Sequence, residues 1–362
     1  MVIDAHLHLW DVRRGGYDWL RRPANAAINR TYTFADFASR AAAAGVDRAV
    51  LVQADDSAAD TEAMFEVAAG HEEIAGVVAW VPLDRPDEAA AALGLLAARP
   101  GFAGIRTLIH DQPDPDWLLR PEVSGGLALL EERDIPFDVI SVLPRHLSHV
   151  PLLSERFPRL RMVLDHLSHP PLGLEGGLGQ WQTLITAAAA NPLVFAKVSG
   201  LYPAHPSWSA EDLRHVVEFA FELFGPDRLM FGSDWPVAEL GGGYAKVFAE
   251  LSALFAQLPA MGRDAILGGT AARFYRLSSG RLRRENLLCS RGHSDLFFPP
   301  VWSRVPWCLR LASPGVAKLR RRRGSRRGLR AGRPCGRSGI RLSCRSASAR
   351  TRSPRPSAIT RS

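Results

Sequence analysis

Residues 2–10 read VIDAHLHLW, the composition of a buried β-strand that carries two histidines. Side chains alternate between the two faces of a strand, so His6 and His8 are predicted to project from one face, together with Asp4. Two neighbouring imidazoles at the C-terminal end of a strand can hold a cation or polarise a substrate oxygen. This stretch alone leaves open the alternative of two hydrogen-bonded histidines without a catalytic role.

The formal net charge of +8 is unevenly distributed along the 362 residues. Residues 279–362 hold 22 Lys and Arg against 2 Asp and Glu, whereas residues 1–278 hold the remaining 23 bases and 35 acids. The first segment is therefore acidic, at −12, and the second strongly basic, at +20. The overall charge thus says little about the function of the first segment.

Cysteine use and hydropathy indicate the compartment. All four cysteines lie in the basic segment, so residues 1–278 need no disulfides, which suits the cytosol. The N-terminus lacks the pattern of a signal peptide, and no apolar run reaches the roughly 18 residues of a membrane span. We therefore expect a soluble, cytoplasmic protein.

Residues 279–362 lack helical and strand periodicity, so we expect a disordered, Arg-rich tail rather than a second domain. The tail could be an arm that binds nucleic acid or acidic surfaces, a solvated linker, or the out-of-frame translation of a GC-rich gene. The abrupt change of composition after ARFYRL (272–277) favours the last origin. Because no segment of the tail resembles a groove-fitting helix, we expect no specific nucleic-acid partner.

Residues 1–278 alternate short apolar runs with helical stretches, which is typical of βα units around a parallel sheet. Eight runs are continuously apolar, as strands buried on both faces should be. Eight strand–helix pairs in roughly 275 residues predict an α/β fold, the (β/α)8 TIM barrel. A doubly wound sheet is the alternative, but no glycine fingerprint follows the first strand. The predicted strands span residues 2–10, 48–53, 74–81, 102–109, 136–140, 161–167, 193–200 and 228–235.

Polar side chains gather at the predicted C-terminal ends of seven strands, where TIM-barrel enzymes carry their active sites. Charged groups at the ends of apolar strands cost free energy unless they serve a site, so the sequence predicts one functional cluster. Its members in chain order are His6, His8, Gln53, Asp55, Arg106, Asp138, Asp165, His166, Lys197, Ser199 and Asp234.

Other stretches near the strand ends allow two interpretations each. Trp10, Trp80 and Trp235 could stack on a sugar ring or pack into the top of the barrel. The glycine-rich stretches 170–181 and 240–244 lack the GK[ST] ending of a phosphate loop and are predicted to be mobile loops over the barrel mouth.

Five motifs, in this order and spacing, resemble the amidohydrolase superfamily. The resemblance is greatest to the amidohydrolase-2 group, which includes L-fuconolactonase and 2-pyrone-4,6-dicarboxylate lactonase. YDWL (17–20) resembles the first loop of these lactonases and could either line the pocket or pack into the core. The resemblance covers about residues 1–277 and does not extend into the tail. The motifs are IDAHLHLW (3–10), GIR (104–106), LDHLSHP (164–170), KVSGL (197–201) and FGSDWP (231–236).

The resemblance implies a hydrolase that opens a small lactone, in which Asp234 takes a proton from the attacking water. His6, His8 and His166 would hold the electrophilic carbonyl, and Arg106 would bind substrate oxygens. Since only one arginine lies clearly at a strand end, a sugar-acid lactone is favoured over a dicarboxylate. The substrate-binding candidates are Arg106, Gln53, Asp138, Lys197, Trp235 and Trp10.

The sequence departs from the metal-dependent members of the superfamily. These usually place a histidine at the end of strand five, where residues 136–140 read PFDVI, and Lys197 on strand seven does not fit a carboxylated lysine between two metals. We therefore expect no obligatory cofactor. The alternative is one zinc or manganese ion held by His6, His8 and Asp234, in a metal-dependent amidohydrolase or decarboxylase.

The expected partner is a small-molecule lactone. No membrane partner is expected, and a homodimer stays open. Within this organisation, residues 1–278 form the catalytic domain and residues 279–362 the basic tail.

Overall fold

The computed structural model describes residues 1–173, 177–203, 205 and 207–278. The expectations for the tail at 279–362 lie outside the described residues, as do residues 174–176 of the predicted loop 170–181. The remainder of that loop is shorter than expected, because a helix begins at Leu178.

Eight parallel strands form one sheet in which each strand pairs with the next along the chain. This order confirms the predicted TIM barrel. The strands are β1 (Ile3–Leu7), β2 (Arg48–Val52), β3 (Ile74–Ala79), β4 (Phe102–Thr107), β5 (Phe137–Val139), β6 (Met162–Leu164), β7 (Val194–Val198) and β8 (Leu229–Phe231).

Backbone hydrogen bonds between β1 and the segment after β8 close the sheet. The Asp234 N–H donates to the His6 carbonyl oxygen at 2.8 Å, and the His8 N–H donates to the Trp235 carbonyl oxygen at 2.8 Å. We call these two hydrogen bonds the seam. The seam brings the first and last motifs of the sequence side by side.

Helices alternate with the strands and cover the outside of the barrel. α1 begins after Thr33, whose hydroxyl accepts from the Asp36 N–H while the Asp36 carboxylate accepts from the Thr33 N–H. No helix in the described part of the chain is long and apolar enough to cross a membrane. The helices are α1 (Phe34–Ala44), α2 (Ala58–Gly70), α3 (Pro86–Leu96), α4 (Pro121–Glu132), α5 (Pro144–Arg156), α6 (Leu178–Ala189), α7 (Ala210–Phe224), α8 (Tyr244–Phe255), α9 (Ala260–Asp264) and α10 (Thr270–Phe274).

The buried apolar residues form two clusters. The larger cluster lies between the strands and the helices. The smaller cluster includes Ile3, Val50 and Val78 from the strands, and Phe274 and Tyr275 from the end of the described chain pack with it. This arrangement makes the last helix a part of the core.

The strands end earlier than predicted where the backbone turns into the left-handed region. β6 ends at Leu164, and residues His166 to His169 all have φ between 49° and 57°. β8 ends at Phe231, and Asp234 has φ of 56°. Positive φ is unfavourable for residues other than glycine and is concentrated at functional sites, where the surrounding structure enforces it.

The prediction that Asp4 shares a face with the two histidines is wrong. An irregularity in the pairing of β1 with β2, between Asp4 and Leu7, breaks the simple alternation of side chains. The Asp4 carboxylate accepts from the Ser233 N–H at 2.8 Å and from the Tyr244 hydroxyl at 3.1 Å. It therefore supports the segment that precedes Asp234.

A chain that ends at Ser278 is expected to fold, because the seam and both clusters lie within residues 1–278 and Arg48 donates to the Ser278 carbonyl oxygen at 2.6 Å. Measured by circular dichroism, the thermal unfolding midpoint of the chain ending at Ser278 should equal that of the full chain. Its catalytic activity should also equal that of the full chain. As a contrast, a chain that ends at Thr270 loses Phe274 and Tyr275 and should unfold at a lower temperature. Unfolding of the Ser278 chain would mean that the tail is a structural part of the protein.

Candidate active site

The Asp234 carboxylate is surrounded by three imidazoles. Its Oδ1 lies 3.4 Å from His8 Nε2, 3.7 Å from His6 Nε2 and 3.9 Å from His166 Nε2. Its Oδ2 accepts from the Tyr202 hydroxyl at 3.3 Å. All three imidazoles are buried, so these contacts act in a medium of low dielectric.

Hydrogen bonds fix the orientation of His8 and His166, two of the three imidazoles around Asp234. His8 Nδ1 lies 2.7 Å from the Val52 carbonyl oxygen and donates to it, which turns Nε2 towards Asp234. His166 Nδ1 lies 2.9 Å from Ser199 Oγ. A hydrogen bond at one ring nitrogen leaves the other in a defined position for chemistry.

Two glycines leave the space that the imidazoles occupy. A Cβ atom at Gly200, where φ is +59°, would lie 2.3 Å from His166 Nδ1. A Cβ atom at Gly232 would lie 2.6 Å from His6 Cβ. Any larger residue would therefore displace the histidines.

A layer of buried charges lies beside these imidazoles. Lys197 Nζ donates to Asp138 Oδ2 at 2.6 Å and lies 3.0 Å from Asp165 Oδ1. Arg106 Nη1 donates to Asp165 Oδ2 at 3.1 Å and lies 3.3 Å from His6 Nε2. Two cations and two carboxylates thus neutralise one another, which buried ionic groups require.

Cationic donors lie beside both nitrogens of His6. Lys197 Nζ lies 3.1 Å from Nδ1, and Arg106 Nη1 lies 3.3 Å from Nε2. An acceptor also lies beside each nitrogen, because Asp165 Oδ1 is 3.2 Å from Nδ1 and His8 Nε2 is 3.1 Å from Nε2. The surroundings therefore fix the position of the ring but not which nitrogen carries its proton.

The pKa shifts give the site one carboxylate and uncharged imidazoles at neutral pH. Burial lowers the pKa of His166 to about 4 and that of His6 well below its ordinary value. Burial opposes ionisation of Asp234, but the surrounding imidazoles, His166 foremost, keep the pKa of its carboxyl well below the usual range. Asp234 is therefore ionised and able to accept a proton.

A cavity of about 160 Å³ opens in front of Asp234. Two polar atoms near it, Arg106 Nε and His110 Nδ1, are buried without a hydrogen-bond partner among the described residues. Such atoms are suited to bind the oxygens of a ligand. The lining residues are His8, Trp19, Ala54, Arg106, Leu108, His110, Ile140, His166, His169, Asp234 and Val237.

Three predicted substrate-binding residues do not line this cavity. Asp138 and Lys197 are fully buried and bind each other. Gln53 is also fully buried. Its side-chain amide donates to the Arg106 main-chain carbonyl oxygen at 3.2 Å, and the Gln53 main-chain carbonyl oxygen accepts from the Arg106 guanidinium. These residues support the site from behind, because their strands carry them inside the barrel.

The two predicted tryptophans also lie outside the cavity lining. Trp10 donates to the Arg30 carbonyl oxygen at 2.7 Å, and Trp235 donates to Glu239 Oε1 at 2.7 Å. Both pack against Tyr32. The structure therefore favours the interpretation that they fill the barrel top.

Sequence reasoning did not single out four residues at the site. Trp19 lies within YDWL and His169 within LDHLSHP, so the motifs contained a signal for both. His110 directly follows the predicted fourth strand. Tyr202 had no signal, because only the folded chain brings it to Asp234.

The donor set fits a zinc ion by distance. His6 Nε2, His8 Nε2 and one Asp234 oxygen lie within 4.8 Å of one another, a spacing compatible with shared coordination of one ion. His6 Nδ1 lies 3.2 Å from Asp165 Oδ1, a carboxylate that can accept the ring N–H and leave Nε2 free to coordinate a metal.

A larger cavity of about 420 Å³ lies between the loop after β1 and α2. Its lining includes Trp10, Tyr32 and Met64, and contains none of the three imidazoles around Asp234. The smaller cavity is therefore the candidate active site.

Comparison with known proteins identifies the family. A sequence model of amidohydrolases matches residues 3–277. The chain belongs to the amidohydrolase family. The match ends at the last helix, so it contains every residue of the site.

Two curated relatives are both named L-fucono-1,5-lactonase. The L-fucono-1,5-lactonase of Burkholderia ambifaria is 35% identical over 281 residues, which cover 76% of this chain and 95% of the relative. The L-fucono-1,5-lactonase of Burkholderia multivorans is 32% identical over 289 residues, which cover 76% and 96%.

A solved structure shares the fold. An amidohydrolase from Burkholderia multivorans, crystallised with bound zinc, matches with a TM-score of 0.71 and 32% identity, covering 77% of this chain and all of that one.

Proposed function

We propose that this amidohydrolase opens a small, uncharged sugar-acid lactone to the hydroxy acid, an ester-bond hydrolysis. The observation that carries the proposal is an ionised carboxylate, Asp234, among three imidazoles beside a cavity of about 160 Å³. The similarity to two L-fucono-1,5-lactonases supports a sugar-acid substrate.

Asp234 is placed to act as the general base. Its carboxylate takes one proton from a water molecule while the hydroxide part adds to the lactone carbonyl carbon. Arg106 and His166 line the same cavity and provide donors for the carbonyl oxygen as it gains negative charge. When the ring C–O bond breaks, Asp234 returns the proton to the leaving oxygen.

His6 and His8 orient this base. His8 Nε2 lies 3.4 Å from Asp234 Oδ1 and can share the proton that the carboxylate has taken. His6 lies behind His8 and does not line the cavity. We therefore assign His6 a supporting part in catalysis.

The charge of the cavity favours a substrate without carboxylates. Arg106 is the only Lys or Arg among the described lining residues, and Asp165 and the Gln53 carbonyl oxygen already bind its guanidinium. The ionised Asp234 would repel a dicarboxylate. Hydroxyl groups, by contrast, can bind to the free nitrogen of His110.

Purified protein is expected to hydrolyse five- and six-carbon aldonolactones, with acid release followed by a pH indicator. Neutral lactones should be turned over faster than lactones that carry a carboxylate, because the cavity has no free cation among its described lining. If the protein hydrolysed none of the lactones and instead turned over an amide or a carboxylated aromatic compound, the proposal would be wrong.

Asp234→Asn keeps the shape of the side chain and removes the base. We expect kcat to fall on the order of 10²–10⁴-fold with little change in KM, since the substrate contacts remain. Asp116→Asn, in a partly exposed ion pair with Arg145, is a control expected to keep wild-type activity. More than a tenth of wild-type kcat in the Asp234 variant would place the base elsewhere.

A metal-dependent hydrolase or decarboxylase is the second candidate, which the spacing of His6, His8 and Asp234 favours. A zinc ion held there would polarise the carbonyl and acidify a bound water. Strand five carries Asp138, bound to Lys197, where the metal-dependent members of the superfamily usually have a histidine, which argues that the metal is not obligatory.

Dialysis against a strong chelator should therefore leave kcat within about twofold of the untreated value, with metal content measured by elemental analysis. A sample never exposed to chelator serves as the control. Loss of activity that returns with one equivalent of zinc or manganese would establish the second candidate.

A further inference from the structure

A series of hydrogen bonds connects the end of the described chain to the active site. It begins at Tyr275, directly after α10, whose side chain is 3% exposed. Its hydroxyl lies 2.9 Å from Asp138 Oδ1 and 2.8 Å from Asp138 Oδ2. The proposed mechanism gives neither residue a part.

The series continues through buried polar groups in contact with one another. Asp138 Oδ2 accepts from Lys197 Nζ at 2.6 Å, and the same ammonium group lies 3.1 Å from His6 Nδ1. His6 Nε2 lies 3.1 Å from His8 Nε2, and His8 Nδ1 donates to the Val52 carbonyl oxygen. Each contact in the series thus restricts the position of the next group.

We propose that Tyr275 is a positioning residue for catalysis, acting through Asp138 and Lys197 to hold His6 in the orientation that supports Asp234. The inference rests on the lactonase function proposed above. It assigns a part in catalysis to a residue that directly follows α10 and does not line the cavity.

The Tyr275 hydroxyl affects the ionisation of Asp138, which also depends on the charges that face this carboxylate. These are Lys197 from β7, Asp165 after β6, and Arg106, its partner in the register with β4. Burial raises the pKa of Asp138 to about 6, while Lys197 and the Tyr275 hydroxyl favour the ionised form. Without that hydroxyl the Asp138 pKa rises further, and a protonated Asp138 no longer neutralises Lys197.

The test is Tyr275→Phe in the full chain, which keeps the buried ring and removes the hydroxyl. We expect kcat at pH 7 to fall about three- to tenfold with KM unchanged, and the acid limb of the pH–activity profile to move up by about one pH unit. Tyr17→Phe is the matched control, because its hydroxyl donates to the buried Asp60 at 2.7 Å, whose pKa burial also raises to about 6. The described residues place no Lys or Arg beside Asp60, so this variant should keep the wild-type profile.

Superimposable pH profiles for Tyr275→Phe and the wild type, or an equal shift in Tyr17→Phe, would overturn the inference. Wild-type turnover of lactones is measured first, since its absence would refute the proposed function alone. In that case ¹³C NMR of aspartate-labelled protein reports the Asp138 titration directly, with its signal assigned by its loss in Asp138→Asn. An Asp138 pKa that is equal in Tyr275→Phe and the wild type would then overturn the inference.

Discussion

The seam between β1 and the segment after β8 is the constraint on which the site depends. Its two backbone hydrogen bonds, from Asp234 to His6 and from His8 to Trp235, each involve a residue of the catalytic cluster. The bonds that close the barrel therefore also set the distance from the Asp234 carboxylate to the imidazoles of β1. The same backbone hydrogen bonds therefore close the barrel and assemble the active site.

The seam positions the catalytic groups, and a layer of paired buried charges lies behind them. Arg106, Lys197, Asp138 and Asp165 lie in the barrel with almost no exposed surface. Unpaired, each charge would be strongly destabilising, but two cations matched with two carboxylates leave no net charge. The layer directs donors towards His6, while Asp234 stands apart as a further carboxylate that can exchange protons with a ligand.

Unfavourable backbone conformations and close packing occur at the residues of the candidate active site. The left-handed turn from His166 to His169 and the positive φ of Asp234 are unfavourable for these residue types. Both lead polar side chains out of the strand direction and into the cavity. Gly200 complements the turn, because only a residue without Cβ leaves room for the His166 ring.

The sequence by itself determined the number of strands, their order and the polar residues at their ends, because parallel strands in a barrel must be apolar throughout and the exceptions mark the site. The sequence did not determine which of these polar residues face the cavity. Asp138 and Lys197 resemble Arg106 in the sequence, yet only Arg106 reaches the lining, since Asp138 and Lys197 bind each other inside the barrel. Tyr202 and Tyr275 join the site region through contacts between segments distant along the chain, and no local pattern encodes such contacts.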